Sequence, residues 1–260
     1  MPRCVKLQRE PGLAIITLDG PHRLNLMTRQ MIGDLGEAVR ELERDASIRA
    51  VIVTGADDRA FTAGIDVNEM KDLTPSTARR FITDLHRTMA GLRDLEKVII
   101  AAINGFCFGA GCELAMACDL RIASQNAQLG LPEIKVGIPS VIEAALMPLL
   151  IGRGRASELV LLGDPVGAVE AREIGLVNRV VPTGELMLAA RRLAEQVLGY
   201  GPTAVRMQKR ILTRWLPPDL EAAIRESVEA FTQCFETREP AEAMSAFLEK
   251  RLPDFHRETP

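Results

Sequence analysis

Residues 104–113 read Asn-Gly-Phe-Cys-Phe-Gly-Ala-Gly-Cys-Glu and join an apolar run to the start of an apolar helix. Three glycines lie within this stretch, so backbone N–H groups at the start of the predicted helix can approach a ligand closely. Glu113 ends it inside apolar sequence, where a carboxylate is costly unless it is hydrogen-bonded, paired or functional. A second carboxylate, Glu133, follows 20 residues later in an apolar loop. These two glutamates are therefore the first candidates for a functional site.

Outward from this stretch, apolar runs of strand length alternate with segments of helical spacing. Residues 5–18 predict a β-hairpin, residues 51–54, 98–103, 120–123 and 176–181 predict strands, and helices are expected to begin at Thr28 and Thr74. This alternation predicts a largely parallel, layered α/β arrangement. From Gly184 the alternation stops, so we expect a core domain at residues 1–183 and a helical region at 184–260. The helical region should pack as a separate layer or on a neighbouring subunit.

The composition excludes several functional classes. A net charge of −3 over 260 residues gives no electrostatic reason to expect nucleic acid or a membrane as a partner. Five cysteines argue against a disulfide framework, and three histidines without a C-x-x-C pair argue against a zinc site. No secretory signal or membrane-length apolar run is evident, so we expect a cytoplasmic protein.

Two glycine-containing turns each follow a predicted buried strand, one at residues 63–65 and the other at residues 109–111. Backbone N–H groups from two such turns could converge on one carbonyl oxygen and form an oxyanion hole. Alone, a glycine-rich turn between a strand and a helix is more often a packing device. The glycine spacing also differs from the G-x-G-x-x-G of dinucleotide-binding folds, which disfavours an oxidoreductase.

The two glutamates are the candidates for acid–base chemistry. Glu113 lies in the first turn of its helix, where the helix dipole favours the charged form, whereas Glu133 follows Pro132 in a shielded loop. Two nearby carboxylates do not easily ionise together, so one of them should keep a proton. We therefore expect Glu113 to act as the base and Glu133 as the acid, although coupled groups share their titration.

A third glutamate, Glu143, has a structural interpretation. Ser140 followed three residues later by Glu143 is the capping-box pattern, in which the two side chains cap the start of a helix. We therefore expect Glu143 to be a capping residue, with a catalytic role as the alternative.

Taken together, these segments resemble the enoyl-CoA hydratase/isomerase (crotonase) family. The segments that carry the resemblance are the N-terminal hairpin and residues 21–25, 60–66, 104–113, 118–119, 132–133, 173–177 and 244–251. They occur in family order over nearly the whole chain. The resemblance implies a spiral of repeated ββα units followed by a C-terminal helical trimerisation region, with trimers often pairing into hexamers.

The resemblance also implies an activity in fatty acid metabolism. Family members that hydrate a 2-trans-enoyl-CoA thioester carry glutamates at the positions of Glu113 and Glu133. The N–H groups of Ile65 and Ala110 would hold the thioester carbonyl, and coenzyme A would be part of the substrate, with no cofactor or metal. The other implied substrate-binding positions are Ala63, Gly64, Asp66, Val67, Gly109, Pro139 and Ser140, with Phe247 and Lys250 reaching the coenzyme A of a neighbouring subunit.

Three departures from the family pattern bear on the substrate. Ala110 replaces a common glycine, and Asn68 stands where a basic residue often contacts a phosphate, a contact that Arg23 could supply. Residues 140–145 replace a glycine-rich run beside the acyl pocket, so the acyl group is expected to differ from a simple straight chain. Double-bond isomerisation, C–C cleavage or thioester hydrolysis are the catalytic alternatives, and a non-catalytic CoA-binding scaffold is the remaining one.

Overall fold

The computed structural model describes residues 3–255 and opens with the predicted antiparallel hairpin. Strand β1 (Val5–Glu10) pairs with β2 (Leu13–Leu18) in the register Val5 opposite Leu18. Gly12 lies in the connecting turn at a φ of +78°, which residues with a Cβ rarely adopt. The hairpin is the antiparallel edge of the main sheet.

The main sheet has six strands in the order β1-β2-β3-β5-β7-β10. Its later members are β3 (Ala50–Gly55), β5 (Val98–Ile103), β7 (Leu120–Ser124) and β10 (Arg179–Val181). Every pair after the hairpin is parallel, and β3 is buried along its whole length. Both faces of β3, β5 and β7 are covered, which explains why these strands read as continuous apolar runs. The last strand begins at Arg179, later than the predicted 176. Leu176 and Val177 are buried, but they form no strand pairing.

A second sheet contains four short strands in the order β4-β6-β8-β9, namely β4 (Ala60–Thr62), β6 (Phe106–Phe108), β8 (Gln128–Gly130) and β9 (Val166–Gly167). The chain alternates between sheets: β3 leads to β4 and helix α2 (Pro75–Asp94), and β5 leads to β6 and helix α3 (Ala110–Met116). This repetition confirms the predicted spiral of ββα units. Because β4, β6 and β8 are parallel neighbours, their carboxyl ends meet at one edge.

The predicted starts of the first two helices are confirmed. In α1 (Arg29–Arg44), the Thr28 hydroxyl accepts a hydrogen bond from the N–H of Met31 at 3.2 Å. In α2, Thr74 forms a capping box with Thr77. Capping satisfies N–H groups that have no partner inside the helix, which fixes where each helix begins.

The second half of the chain is mostly helical. Its helices are α4 (Met147–Ile151), α5 (Arg153–Leu162), α6 (Ala168–Glu173), α7 (Leu186–Leu198), α8 (Pro202–Arg214), α9 (Leu220–Cys234) and α10 (Glu239–Glu249). Helix α7 buries Leu186 and Leu193 on the main-sheet face that carries Ile52 and Ile100. Helix α9 sends Phe231 into the larger core on the other side. These helices therefore pack on the core of their own chain, and the domain boundary near residue 184 stays a prediction.

Membrane insertion has no support in these helices: within residues 3–255, none is long and apolar enough to cross a bilayer.

Gly105 is expected to tolerate no side chain. A Cβ at this position would overlap the backbone carbonyl of Arg59, which belongs to the segment leading into β4. Gly105→Ala should lower the free energy of unfolding by about 3 kcal/mol, the range of a severe overpacking change. Urea unfolding monitored by circular dichroism measures this loss. Gly154→Ala in α5 is the control, since a Cβ there meets nothing within 4 Å and should stabilise the helix slightly.

Candidate active site

The two glycine turns predicted from the sequence lie against each other. Gly64 follows β4 with a φ of +93°, and Gly109 follows β6 with a φ of +54°. A Cβ on Gly64 would lie 3.0 Å from the carbonyl oxygen of Phe108 and 3.8 Å from the Cα of Gly109. Glycine is therefore required at this contact both by backbone conformation and by space.

Each turn presents an N–H group without a partner. Ile65 and Met27 form an isolated parallel β-bridge. Its two hydrogen bonds involve the residues on either side of Ile65: Met27 N–H donates to Gly64 O at 2.8 Å, and Asp66 N–H donates to Met27 O at 3.2 Å. The N–H of Ile65 itself faces the other way. Ala110 is the first residue of α3, where the N–H has no acceptor inside the helix. Within residues 3–255, neither N–H donates a hydrogen bond, so both are available to a ligand.

Glu113 lies one turn into α3 and is only 3% exposed. Every residue of α3 is buried, because the helix runs through the main core. The backbone of Ala144, whose N–H donates to Val141 O at 2.9 Å, lies close enough to Glu113 to favour its charged form. A carboxylate buried this deeply is costly to the fold, which favours a catalytic role for Glu113.

Glu133 begins the short 3-10 turn Glu133–Val136 after β8. A Cβ on Gly109 would lie 2.7 Å from its Oε1, so this oxygen sits directly against the turn that ends at Ala110. Its Oε2 accepts a hydrogen bond from the Ser140 hydroxyl at 2.8 Å. The structure therefore brings both glutamates and both glycine turns to the edge where β4, β6 and β8 end.

Burial raises the pKa of both carboxyls. The pKa of Glu133 rises to about 7, with the Ser140 hydrogen bond opposing the effect of burial. The pKa of Glu113 rises well above its usual value through burial first, and then through the charges of Glu133, Glu143 and Cys112. Both carboxyls therefore hold a proton more readily than an exposed glutamate does, and the charge of Glu133 opposes ionisation of Glu113. For Glu113, burial outweighs the dipole of a helix of only seven residues. Which glutamate is the base and which is the acid stays a prediction.

The loop after β4 is fixed by Asp66. Its Oδ1 accepts hydrogen bonds from the backbone N–H and the side-chain amide of Asn68, both at 3.0 Å, and caps the turn Val67–Glu69. His22, which the sequence analysis did not single out, places Nε2 3.5 Å from Oδ2 of Asp66. Its position within residues 21–25, a segment of the resemblance, was the available signal. Ala63 lies in this loop and donates its N–H to Leu24 O at 3.0 Å.

The two predicted tail residues, Phe247 and Lys250, are exposed at the end of α10. Phe247 is 58% exposed on α10, and Lys250 is the exposed residue that ends the helix in a left-handed conformation. Their contact with a neighbouring coenzyme A stays a prediction. Helix α10 itself supports the Glu133 turn, because a Cβ on Gly137 would lie 2.9 Å from the Cβ of Ala243.

The capping-box prediction for Glu143 is wrong. Ser140 donates to Glu133 instead of capping a helix, and the backbone leaves helical geometry because Ile142 adopts a φ of +45°. Glu143 is completely buried, with its carboxylate bonded to His86 and Arg93 of α2. Neither His86 nor Arg93 was predicted from the sequence as a partner of Glu143. The available signal was that both are basic residues on the apolar face of the predicted helix α2.

Among residues 3–255, no group of three or more His, Cys, Asp or Glu side chains is placed to hold a metal ion. Burial raises the pKa of the Cys118 thiol to about 12, so this thiol is suited to packing rather than to nucleophilic chemistry.

Comparison with known proteins identifies the lineage. The sequence profile described as enoyl-CoA hydratase/isomerase matches residues 8–258. This chain belongs to the enoyl-CoA hydratase/isomerase family. It is 39% identical over 248 residues to the short-chain-enoyl-CoA hydratase of Clostridium acetobutylicum, with 95% of each chain covered. It is also 37% identical over 250 residues to the crotonyl-CoA hydratase of Syntrophomonas wolfei, with 96% of each covered.

A solved structure of the enoyl-CoA hydratase/isomerase family also matches this chain. An enoyl-CoA hydratase/isomerase from Xanthobacter autotrophicus Py2 is 33% identical and superposes with a TM-score of 0.85. The match covers 96% of this chain and 99% of the other. The predicted α/β spiral of the crotonase family is therefore confirmed over nearly the whole chain.

Proposed function

We propose that this protein is an enoyl-CoA hydratase that adds water across the 2,3 double bond of a 2-trans-enoyl-CoA thioester. The observation that carries the proposal is the pair of carboxyls, buried Glu113 and half-buried Glu133, which lies beside two unpaired N–H groups and whose pKa values are raised by burial. Relatives named as enoyl-CoA hydratases, similar over 95% or more of this chain, support the same reaction.

In the proposed reaction, the N–H groups of Ile65 and Ala110 hold the thioester carbonyl oxygen. As negative charge develops on that oxygen in the enolate, these preorganised donors stabilise it. Water lies between Glu113 and Glu133; its oxygen bonds to Cβ as it gives one proton to the ionised member of the pair. The protonated member delivers its proton to Cα, so the enzyme ends with the same proton count.

The substrate also needs a site for its coenzyme A portion and an acyl pocket. We assign the loop with Ala63, Asp66 and Val67 to the adenine end of coenzyme A. Pro139 and Ser140 border the acyl group, next to the altered 140–145 segment. No separate cofactor enters the reaction, because coenzyme A is part of the substrate.

We further propose a homotrimer or a hexamer in the cytoplasm. Large apolar side chains stay exposed at the end of α8, where Leu212 is 47% and Trp215 is 71% exposed. Exposed apolar side chains of this size often mark subunit interfaces. Free cysteines at positions 4, 107, 112, 118 and 234 suit a reducing compartment.

Crotonyl-CoA tests the function directly. Hydration removes the ultraviolet absorbance of the conjugated thioester and increases the product mass by one water. An isomerised product keeps its mass, and thioester hydrolysis or C–C cleavage releases a smaller acyl product. If a panel of short, long and branched enoyl-CoA substrates binds but stays unchanged, the protein is a scaffold and the proposal fails.

The pH dependence of hydration should follow Glu133. Because the pKa of Glu133 is about 7, this group takes up a proton below that pH and leaves two neutral carboxyls with no base. We expect kcat/KM to fall about tenfold per pH unit below pH 7, and a profile flat to pH 5 would contradict this. Ser140→Ala removes a hydrogen bond that lowers the pKa, so its profile should fall at a higher pH; Ser140→Thr, which keeps the hydroxyl, is the control.

A further inference from the structure

One short segment, residues 140–144, contacts the carboxylate of Glu133 and packs against α3, the helix that carries Glu113. At its beginning, the Ser140 hydroxyl donates to Oε2 of Glu133 at 2.8 Å. At its end, Ala144 donates its N–H to Val141 O at 2.9 Å, and the turn 142–146 packs against α3, where Ala144 lies close enough to Glu113 to oppose the rise of its pKa. The relative placement of the two carboxylates therefore depends on where this segment is held.

The segment does not hold this shape by itself. Ile142 adopts a φ of +45°, an unusual conformation for a β-branched residue, which persists only when the surroundings impose it. Its N–H donates to the Ser227 hydroxyl of α9 at 3.0 Å. The next residue, Glu143, is completely buried, and its two oxygens lie 3.0 and 3.3 Å from Nδ1 of His86.

Arg93 completes the attachment of the segment to α2. Its Nη1 lies 3.4 Å from Oε1 of Glu143, while its Nη2 contacts Glu221 of α9 at 3.1 Å and its Nε contacts Asp94 at 3.0 Å. Glu143 is thus the point at which residues 140–144 are tied to a helix far from them in sequence. Removing its carboxylate would break the bonds that tie the strained turn to α2 and leave the bond from Ile142 N–H to Ser227 of α9.

We propose that Glu143 is a positioning residue: anchored by His86 and Arg93, it fixes the 140–144 segment and so sets the distance between the carboxylates of Glu113 and Glu133. This inference rests on the proposed hydratase function, since it assigns the two carboxylates their task. Glu143 itself does not touch the reacting atoms.

The charges around Glu143 fit this role. On α2, His86 and Arg93 face it; Glu221 of α9 and Glu113 of α3 are the acidic groups nearby. Burial lowers the pKa of His86, but the hydrogen bond and charge of Glu143 more than offset this and leave it raised. Glu143 is thereby paired with positive charge, while its own charge still raises the pKa of Glu113.

Steady-state kinetics with crotonyl-CoA test the proposal through Glu143→Leu and Glu143→Gln. Glu143→Leu should lower kcat about thirtyfold with KM within about twofold, since the pair is misplaced while the substrate still binds. Glu143→Gln can accept the same hydrogen bonds and should recover kcat to within about threefold of wild type. At alkaline pH, kcat should fall as Glu113 loses its proton. Glu143→Gln removes a negative charge that raises the pKa of Glu113, so this fall should occur at lower pH in the variant.

Lys97→Met is the matched control for loss of a buried polar anchor. Lys97 precedes β5 at the end opposite the site, and its Nζ donates to the carbonyls of Asp45 and Ile48 at 2.8 and 2.9 Å. This variant should lose stability and keep its kcat. If it loses kcat in the same proportion as Glu143→Leu, or if folded Glu143→Leu keeps kcat within twofold, Glu143 has no positioning role.

Ser227→Ala decides the question if Glu143→Leu fails to fold. It removes the other anchor of the segment without leaving a buried charge unpaired, and should lower kcat about fivefold with KM unchanged. An unchanged kcat together with an unmoved pH profile in Glu143→Gln would overturn the inference. Failure of the proposed function is distinguishable, because wild-type protein itself would then not hydrate any enoyl-CoA.

Discussion

Glu113→Gln and Glu133→Gln are each expected to lower kcat for crotonyl-CoA hydration by about 10³-fold, since acid–base catalysis by a positioned group contributes about 10²–10⁴. Gln keeps the shape of the side chain but can neither hold nor release the shared proton. The double variant should be little worse than either single one, because the carboxylates act as a unit. The absorbance assay of the conjugated thioester measures all three.

Measurements of thermal stability distinguish a loss of catalysis in these variants from a failure to fold. The pKa of Glu133 rises from its usual 4.5 to about 7 in the folded protein, so the folded state keeps a proton that the unfolded chain releases. Stability contributed by this group therefore falls as pH rises from 4.5 to 7. Glu133→Gln removes that cost, and its melting temperature at pH 8 should equal or exceed that of wild type.

Glu43→Gln on α1 is the control for the glutamate variants, because Glu43 is exposed and belongs to no part of the proposed site. It should keep full activity. If Glu133→Gln retains more than a tenth of wild-type kcat, the carboxylate pair does not handle the proton as proposed.

Ala110→Pro is expected to lower kcat/KM by about 10²–10³-fold, the cost of losing one oxyanion-hole donor. Proline has no N–H and is tolerated at the first position of a helix, which Ala110 occupies in α3. Gly109 precedes it with a ψ of −126°, outside the helical region that a following proline disfavours. The fold should therefore survive while the donor is lost.

Ala110→Gly is the matched control, since it keeps the N–H and changes only a methyl group. Its kcat/KM should stay within about threefold of wild type. Circular dichroism and thermal melting of Ala110→Pro establish that the protein is folded. A folded Ala110→Pro variant with near wild-type kcat/KM would show that this N–H does not bind the thioester oxygen.

The strand and helix pattern could be predicted because its signals are local. Apolar runs gave β3, β5 and β7, and threonine caps gave the starts of α1 and α2. The glycine turns and both glutamates were also evident, since glycines and a carboxylate within apolar sequence stand out without knowledge of the fold. The resemblance to the family then indicated how these pieces combine.

The sequence by itself determined the central strands of the main sheet, the starts of α1 and α2, the two turns and the pair of carboxylates. It did not indicate the four strands of the second sheet, which are only two or three residues long and so carry little local pattern. Only the tertiary structure decided how strongly burial raises the pKa of both carboxyls and what Glu143 binds. His86 lies 57 residues from Glu143, and Ser227 lies 85 residues from Ile142. The pKa of a buried carboxyl depends on burial and on nearby charges from other segments, and local spacing carries no record of either. The spacing of Ser140 and Glu143 predicted a helix cap for this reason, whereas packing against α2 and α9 made the same residues a support for the site.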